Sequence, residues 1–140
     1  MKILIAADGS PYTKRMLAYL AAHEDLLGPK HDYTVVHSVL AVPHRAAAFV
    51  GSDAVRQFYE DDAEAVFKPI RAFFEQQGVR VTCVHTISHP GESIARLAEE
   101  GKFDLVVMGS HGHGELKNLV LGSVVTQVLA RCSVPVLLIR

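Results

Sequence analysis

With 140 residues, the chain is long enough for one domain with a substantial core and too short for two of ordinary size. Its 14 basic and 15 acidic residues nearly cancel, which leaves no broad cationic field for a nucleic-acid backbone or an anionic membrane surface. No apolar run approaches a membrane span, and the run after Lys2 is too brief for a secretory signal, so a cytoplasmic protein is expected.

Short apolar runs rich in β-branched residues alternate with stretches of helical period, the pattern of a parallel sheet covered by helices on both faces. Five strands are predicted, over residues 2–7, 33–39, 80–86, 105–109 and 134–140. A first helix starts after Ser10, whose hydroxyl can cap free amides, with Pro11 in the first turn. Met16, Leu17, Leu20 and Ala21 fall on one of its faces, and Gly28-Pro29 closes it. Residues 41–52 mix Pro43, His44, Arg45, alanines and Gly51 without a clean period and are predicted to be a mobile loop. From 53 to 77, Val55, Phe58, Val66, Ile70, Phe73 and Phe74 recur at helical spacing, with Pro69 as a kink and Gly78 as the stop. A third helix follows Gly91 with Ile94, Leu97 and Ala98 inward, and a fourth is predicted over 118–131. Cys83 and Cys132 lie far apart with no C-x-x-C spacing, so they read as buried small apolar residues.

The fourth strand runs into Gly109-Ser110-His111-Gly112-His113-Gly114 and then into helical pattern. Glycines let successive N–H groups converge on one point, and a following helix start adds partial positive charge, so an anion fits there. A Walker loop would need Lys and Ser or Thr after Gly114, where Glu115 and Leu116 stand. A dinucleotide fingerprint beginning at Gly112 would need glycine where Lys117 stands. The spacing that remains is G-x2-G-x9-G-S, from Gly109 through Gly112 to Gly122 and Ser123.

This spacing, the strand ending in Asp8-Gly9-Ser10 and the closing Ser133-Val134-Pro135-Val136 run resemble the universal stress protein family, in its nucleotide-binding branch. The resemblance covers essentially the whole chain. It implies an α/β fold: one domain over residues 1–140 with an open five-stranded parallel sheet in the order 3-2-1-4-5, Rossmann-like and related to the adenine nucleotide alpha hydrolases. That order sets the ends of strands one and four side by side and brings Asp8 to the glycine loop. The cofactor implied is ATP or AMP, with or without Mg2+. The nucleotide-binding set implied is Ala7, Asp8, Val36, Met108, Gly109, His111, Gly112, His113, Gly122, Ser123 and Val124. The family also commonly forms homodimers through its last strand, and the apolar run of residues 134–139 gives a physical reason, since an edge strand so apolar invites pairing.

Each role has a plainer alternative. Gly109 and Gly112 would let amides approach phosphate oxygens, or simply make a strand-to-helix turn; Gly114 serves the same turn. Gly122 and Ser123, placed mid-helix, would meet phosphate or ribose, or pack against the sheet while Ser123 bonds its own helix. Asp8 would accept from ribose hydroxyls, or cap the first helix beside Ser10. Val36 would line the adenine pocket, mostly through its backbone. His111 and His113 stand where many relatives carry Arg and an apolar residue, which replaces a permanent charge by a titratable one and leaves open a less charged nucleotide such as AMP. With His85 or His89 the same pair offers an alternative transition-metal site. Glu115 reads as a helix N-terminal charge, and Lys117 as solvent-facing or a secondary phosphate contact.

Phosphoryl transfer needs in-line positioning, charge neutralisation and an oriented nucleophile, and only the cradle is legible. The leading expectation is a nucleotide-binding stress or regulatory protein with an unidentified protein partner and slow hydrolysis at most. An adenylate-forming or ATP-hydrolysing enzyme of the related group, and a nucleotide-free interaction module, are the alternatives.

Overall fold

Ile3, Leu4 and Ile5 are consecutive, apolar and all inaccessible to solvent, which a strand achieves only when both of its faces are covered. A computed structural model, describing residues 1–114 and 118–140, shows how. In chain order its elements are β1 (Lys2–Ala6), α1 (Pro11–Ala21), β2 (Asp32–Val39), α2 (His44–Val50), α3 (Ser52–Gln76), β3 (Val81–Ile87), α4 (Pro90–Glu100), β4 (Leu105–Gly109), α5 (Ser123–Arg131) and β5 (Val136–Ile139). The five strands form one sheet in the order β3-β2-β1-β4-β5, every pairing parallel, as expected.

Side chains alternate across this sheet and build two cores. Ile3, Ile5, Val35 and Val107 pack against Met16 and Leu20 of α1 and Phe67, Ile70 and Phe74 of α3. Leu4, Val36, Val106 and Met108 point the other way, against Ile94 and Ala98 of α4 and Val125 and Val128 of α5. Each fully buried Leu, Ile or Phe contributes about 1.5–3 kcal/mol. With both layers covered, the strands' carboxyl ends are left open, and the strand order reverses between β1 and β4, where ligands of such sheets bind.

Several boundaries differ from expectation, each for a local reason. Residues 41–52 contain the helix α2, whose alanines favour helix and which ends at Gly51 with φ of 90°. None of its residues is buried, so it carries no apolar stripe for a sequence to display. The first helix stops at Ala21, not at Gly28, because the buried Tyr33 hydroxyl anchors the following turn, donating to Leu26 O at 2.7 Å and accepting from Gly28 N at 2.9 Å. Burial pushes the Tyr33 pKa up. Pro69 lies inside α3 without ending it, the helix continuing over 25 residues, and Gly78 stops the chain beyond it with φ of 67°. α5 begins at Ser123, five residues after the expected start, because Gly122 is extended and spends its N–H on Ser110 O at 2.8 Å. Gly122 and Ser123 therefore stand at a helix start, and the cost of glycine inside a helix does not arise. Cys83 and Cys132 are half-buried, not fully buried, and burial raises both thiol pKa values.

Candidate functional site

A cavity of about 280 Å3 opens at the carboxyl ends of β2, β1 and β4, beneath the first turns of α4 and α5. All eleven residues singled out from the sequence line it. Ala7 and Asp8 come from the end of β1, Val36 from β2, and Met108 and Gly109 from β4; His111, Gly112 and His113 come from the loop, and Gly122, Ser123 and Val124 from the start of α5. The readings of Glu115 and Lys117 lie outside the described residues.

Asp8 is held by its neighbours. Its Oδ1 accepts from Ser10 N at 2.9 Å and from the Thr13 hydroxyl at 3.2 Å, while Thr13 Oγ1 accepts from the amides of Asp8 and Gly9 at 3.3 and 3.2 Å. These bonds brace the turn that leads into α1 and cap none of its own amides; Ser10, expected to cap through its hydroxyl, makes no side-chain cap, and its fully buried Oγ has no partner. Oδ2 of Asp8 faces Gly112 so closely that a Cβ there would lie 2.6 Å away. Glycine at 112 is therefore what lets the carboxylate and the loop share one space. Gly109 has a different reason: a Cβ there would lie 2.6 Å from Cβ of Tyr12.

The histidines are partly committed. Leu119 O can only accept, so Nε2 of His111 donates to it at 2.8 Å, and Nδ1 takes the hydroxyl proton of Ser110 at 2.9 Å. His113 Nε2 donates to the carbonyl of Asp8 at 2.8 Å, closing the loop over the end of β1. The metal alternative gains nothing here. His85 lies on β3 beside His37, ring centroids 6.1 Å apart, and among the described residues no three His, Cys, Asp or Glu side chains are grouped to hold an ion.

Val36 lines the cavity from β2. Its carbonyl accepts from Ala7 N at 3.0 Å, so its backbone oxygen is engaged and its buried side chain forms apolar wall. Sequence reasoning missed Tyr12, Thr13, Ser38, Pro90 and Ile94, which also line the cavity. Period-two alternation from Val36 would have found Ser38 on the same face. The others arrive by tertiary packing alone.

Behind the cavity, the buried His37 bridges β1 to α3. Its Nδ1 lies 3.0 Å from Ala7 O and its Nε2 2.7 Å from Asp62 Oδ2, so both ring nitrogens face acceptors. Burial first, and the proximity of His37 second, push the His85 pKa down.

The Universal stress protein family model matches residues 1–140, the full length of the chain. The chain belongs to the universal stress protein family. It is 33% identical over 140 residues to a universal stress protein of Synechocystis sp. and 34% identical over 139 residues to one of Thermus aquaticus. Both alignments take in 99% of the chain, but 42% and 97% of those proteins respectively, so the chain spans less than half of the Synechocystis relative. Among solved structures, MJ0577 superposes with a TM-score of 0.82 at 26% identity, over 99% of this chain and 94% of that one. A universal stress protein from Archaeoglobus fulgidus in complex with dAMP follows the fold at a TM-score of 0.68 and 21% identity, over 100% and 98% of the two chains. One from Arabidopsis thaliana with AMP bound does so at 0.71 and 14%, over 99% and 90%.

Proposed function

We propose that this universal stress protein binds an adenine nucleotide, ATP or AMP, in the cavity at the ends of β1 and β4, and acts as a regulatory binder, not as an efficient enzyme. The observation that carries this reading is the convergence of Asp8, the Gly109–Gly112 loop and the N-terminus of α5 on one cavity. The family relatives seen with AMP and dAMP support the adenine nucleotide as the ligand class.

The residues fit such a ligand. First-turn amides of a helix lack intrahelical partners and attract anions, which makes the start of α5 at Ser123 and Val124 the phosphate end, facing Gly112 across the loop. Asp8 Oδ2 is placed to accept from ribose hydroxyls while Oδ1 keeps its bonds to Ser10 N and the Thr13 hydroxyl. Ala7, Val36 and Met108 supply apolar wall for the base. Neither Lys nor Arg is among the described lining residues, so compensation of phosphate charge falls on backbone amides, an arrangement that favours AMP over ATP. Asp8 is the one carboxylate in that lining, so Mg2+ would ride on the nucleotide's own phosphates.

Occupancy would then shift an equilibrium between two partner-binding states, by as much as the nucleotide's affinity differs between them. The chain is proposed to work in the cytoplasm as a homodimer joined through β5. That strand is the sheet's edge, and Val136, Leu137 and Leu138 on it are only half-buried. Light scattering at micromolar concentration should give twice the 15.3 kDa chain mass. Calorimetric titration of ATP, ADP and AMP, with and without Mg2+, tests the site itself. Saturable binding, with AMP no weaker than ATP, is the expected result. No heat from folded, ligand-free protein would overturn the reading in favour of a nucleotide-free interaction module.

A further inference from the structure

Ala7 stands one residue past the end of β1, yet both peptide planes that flank it are tied to β2. The last register pair of the two strands is Ala6 with Val36, and the amide of Ala7 donates to Val36 O at 3.0 Å. The carbonyl of Ala7 meets a side chain instead: Nδ1 of His37 lies 3.0 Å away, and because a carbonyl only accepts, the ring donates there. The ring is itself held. Nε2 lies 2.7 Å from Oδ2 of Asp62 on α3, Phe67 meets the ring edge-on at 6.2 Å between centroids, and the His85 ring stacks on it at 6.1 Å.

What shares a plane with the Ala7 carbonyl gives this link its consequence. A peptide unit is planar, so fixing Ala7 O fixes the direction in which the chain leaves toward Asp8. The bonds of Asp8 Oδ1, to Ser10 N and the Thr13 hydroxyl, are local and travel with the turn. The His37 bond instead ties the turn's first peptide plane to the sheet. The outer torsion of a histidine is broad, so the ring has no intrinsic reason to keep Nδ1 on that carbonyl. Asp62 at the far nitrogen removes this freedom. His37 is buried, the Asp62 side chain is one-third exposed, and neither lines the cavity.

Resting on the nucleotide reading of the cavity, we infer that His37, oriented by Asp62, is a positioning residue: it sets the peptide plane that carries Asp8 and so places Oδ2 for the sugar hydroxyls without touching the ligand. Affinity is thereby set in part from α3, an element with no residue in the described cavity wall.

The test is calorimetry on the full chain with AMP and with 2′,3′-dideoxy-AMP, which lacks both ribose hydroxyls. Wild type should bind AMP about tenfold more tightly than the dideoxy compound, the worth of a hydrogen bond to a charged group. Asp62→Ala should weaken AMP about fivefold and leave the dideoxy compound within about twofold, because that sugar asks nothing of Asp8. His37→Leu should bring AMP down to the level of the dideoxy compound; if it fails to fold, the part-exposed Asp62 still carries the test. His37→Asn is the rescue. Its amide nitrogen stands about where Nδ1 does and keeps a donor for Ala7 O, so AMP should stay within about twofold of wild type, and adding Asp62→Ala should change nothing further. General loosening of the strand end would weaken both ligands alike. Parallel losses of the two ligands, AMP affinity unmoved by Asp62→Ala, or equal affinities in wild type overturns the positioning role and leaves the nucleotide site standing. Folded wild type that binds neither compound overturns the positioning role and the nucleotide reading together.

Discussion

Two concavities among the described residues differ in kind, and the larger of the pair is the more apolar. The groove between α2, α3 and β3 encloses about 700 Å3 against about 280 Å3 for the cavity at the ends of β1 and β4. The groove is walled by Ala47, Val55, Tyr59 and Ile87, and its charged Arg56 is an exposed side chain paired with Asp53 at 3.2 Å. In the cavity, by contrast, polar groups from two strand ends, a glycine loop and two helix starts meet in about two-fifths of the volume. Convergence, not volume, distinguishes a candidate site, because a ligand's polar groups must be satisfied at fixed positions once water is excluded.

The most damaging way to break this contrast is to fill the cavity's tightest approach. Gly112→Val places a side chain against Asp8 Oδ2, and overpacking of about 1–3 kcal/mol should weaken AMP binding about 10- to 100-fold, read by calorimetry on protein whose circular dichroism is unchanged. An unaltered dissociation constant would mean that the Asp8–Gly112 approach is no part of the site. Asp8→Asn comes next. Asparagine keeps the Oδ1 acceptor for Ser10 N and the Thr13 hydroxyl, so the thermal midpoint should hold, while losing a charge-assisted acceptor should cost AMP about tenfold in affinity. A fall in midpoint with affinity intact would leave Asp8 only its role in bracing the turn before α1.

On the groove side, a smaller effect should appear as pH dependence of stability. His85 has a folded pKa below its ordinary 6.5, so the unfolded chain takes up this proton first. Its contribution to stability is complete above that value and is lost as pH falls from there toward the folded pKa. Urea midpoints at pH 7.5, 6.5 and 5.5 should therefore decline on the acid side, and His85→Gln should flatten that part of the curve. A steeper decline in the variant would place the acid sensitivity elsewhere. The smallest effect is expected at Phe49, 91% exposed on α2. Phe49→Ser should change AMP affinity by less than about twofold and stability by less than about 0.5 kcal/mol. A tenfold change in affinity would show that α2 is coupled to the cavity.

The contrast also explains what could be read without coordinates. The inner strands, covered on both faces, announce themselves as continuous apolar runs, and the part-buried edge strands β3 and β5 keep runs of β-branched and apolar residues, so all five were legible to within two residues at each end. Spacing placed the glycine loop and Asp8. α2 was missed because a helix that buries nothing has no stripe, and α5 was begun too early because Gly122's bond to Ser110 O is a contact between segments twelve residues apart.

What the sequence by itself determined is therefore the periodic part of this protein: five apolar strands, the principal helices between them, and a glycine spacing whose meaning depends on few neighbours. Tertiary structure alone decided the rest. It set Asp8 against Gly112 and Tyr12 against Gly109, engaged the carbonyl of Val36, and gathered Ser38, Thr86 and Ser93 from two strands and a helix into one hydrogen-bonded chain. The physical reason is range. Periodicity and turn chemistry act over a few consecutive residues, whereas close approaches and side-chain hydrogen bonds depend on which distant backbones the parallel sheet brings side by side.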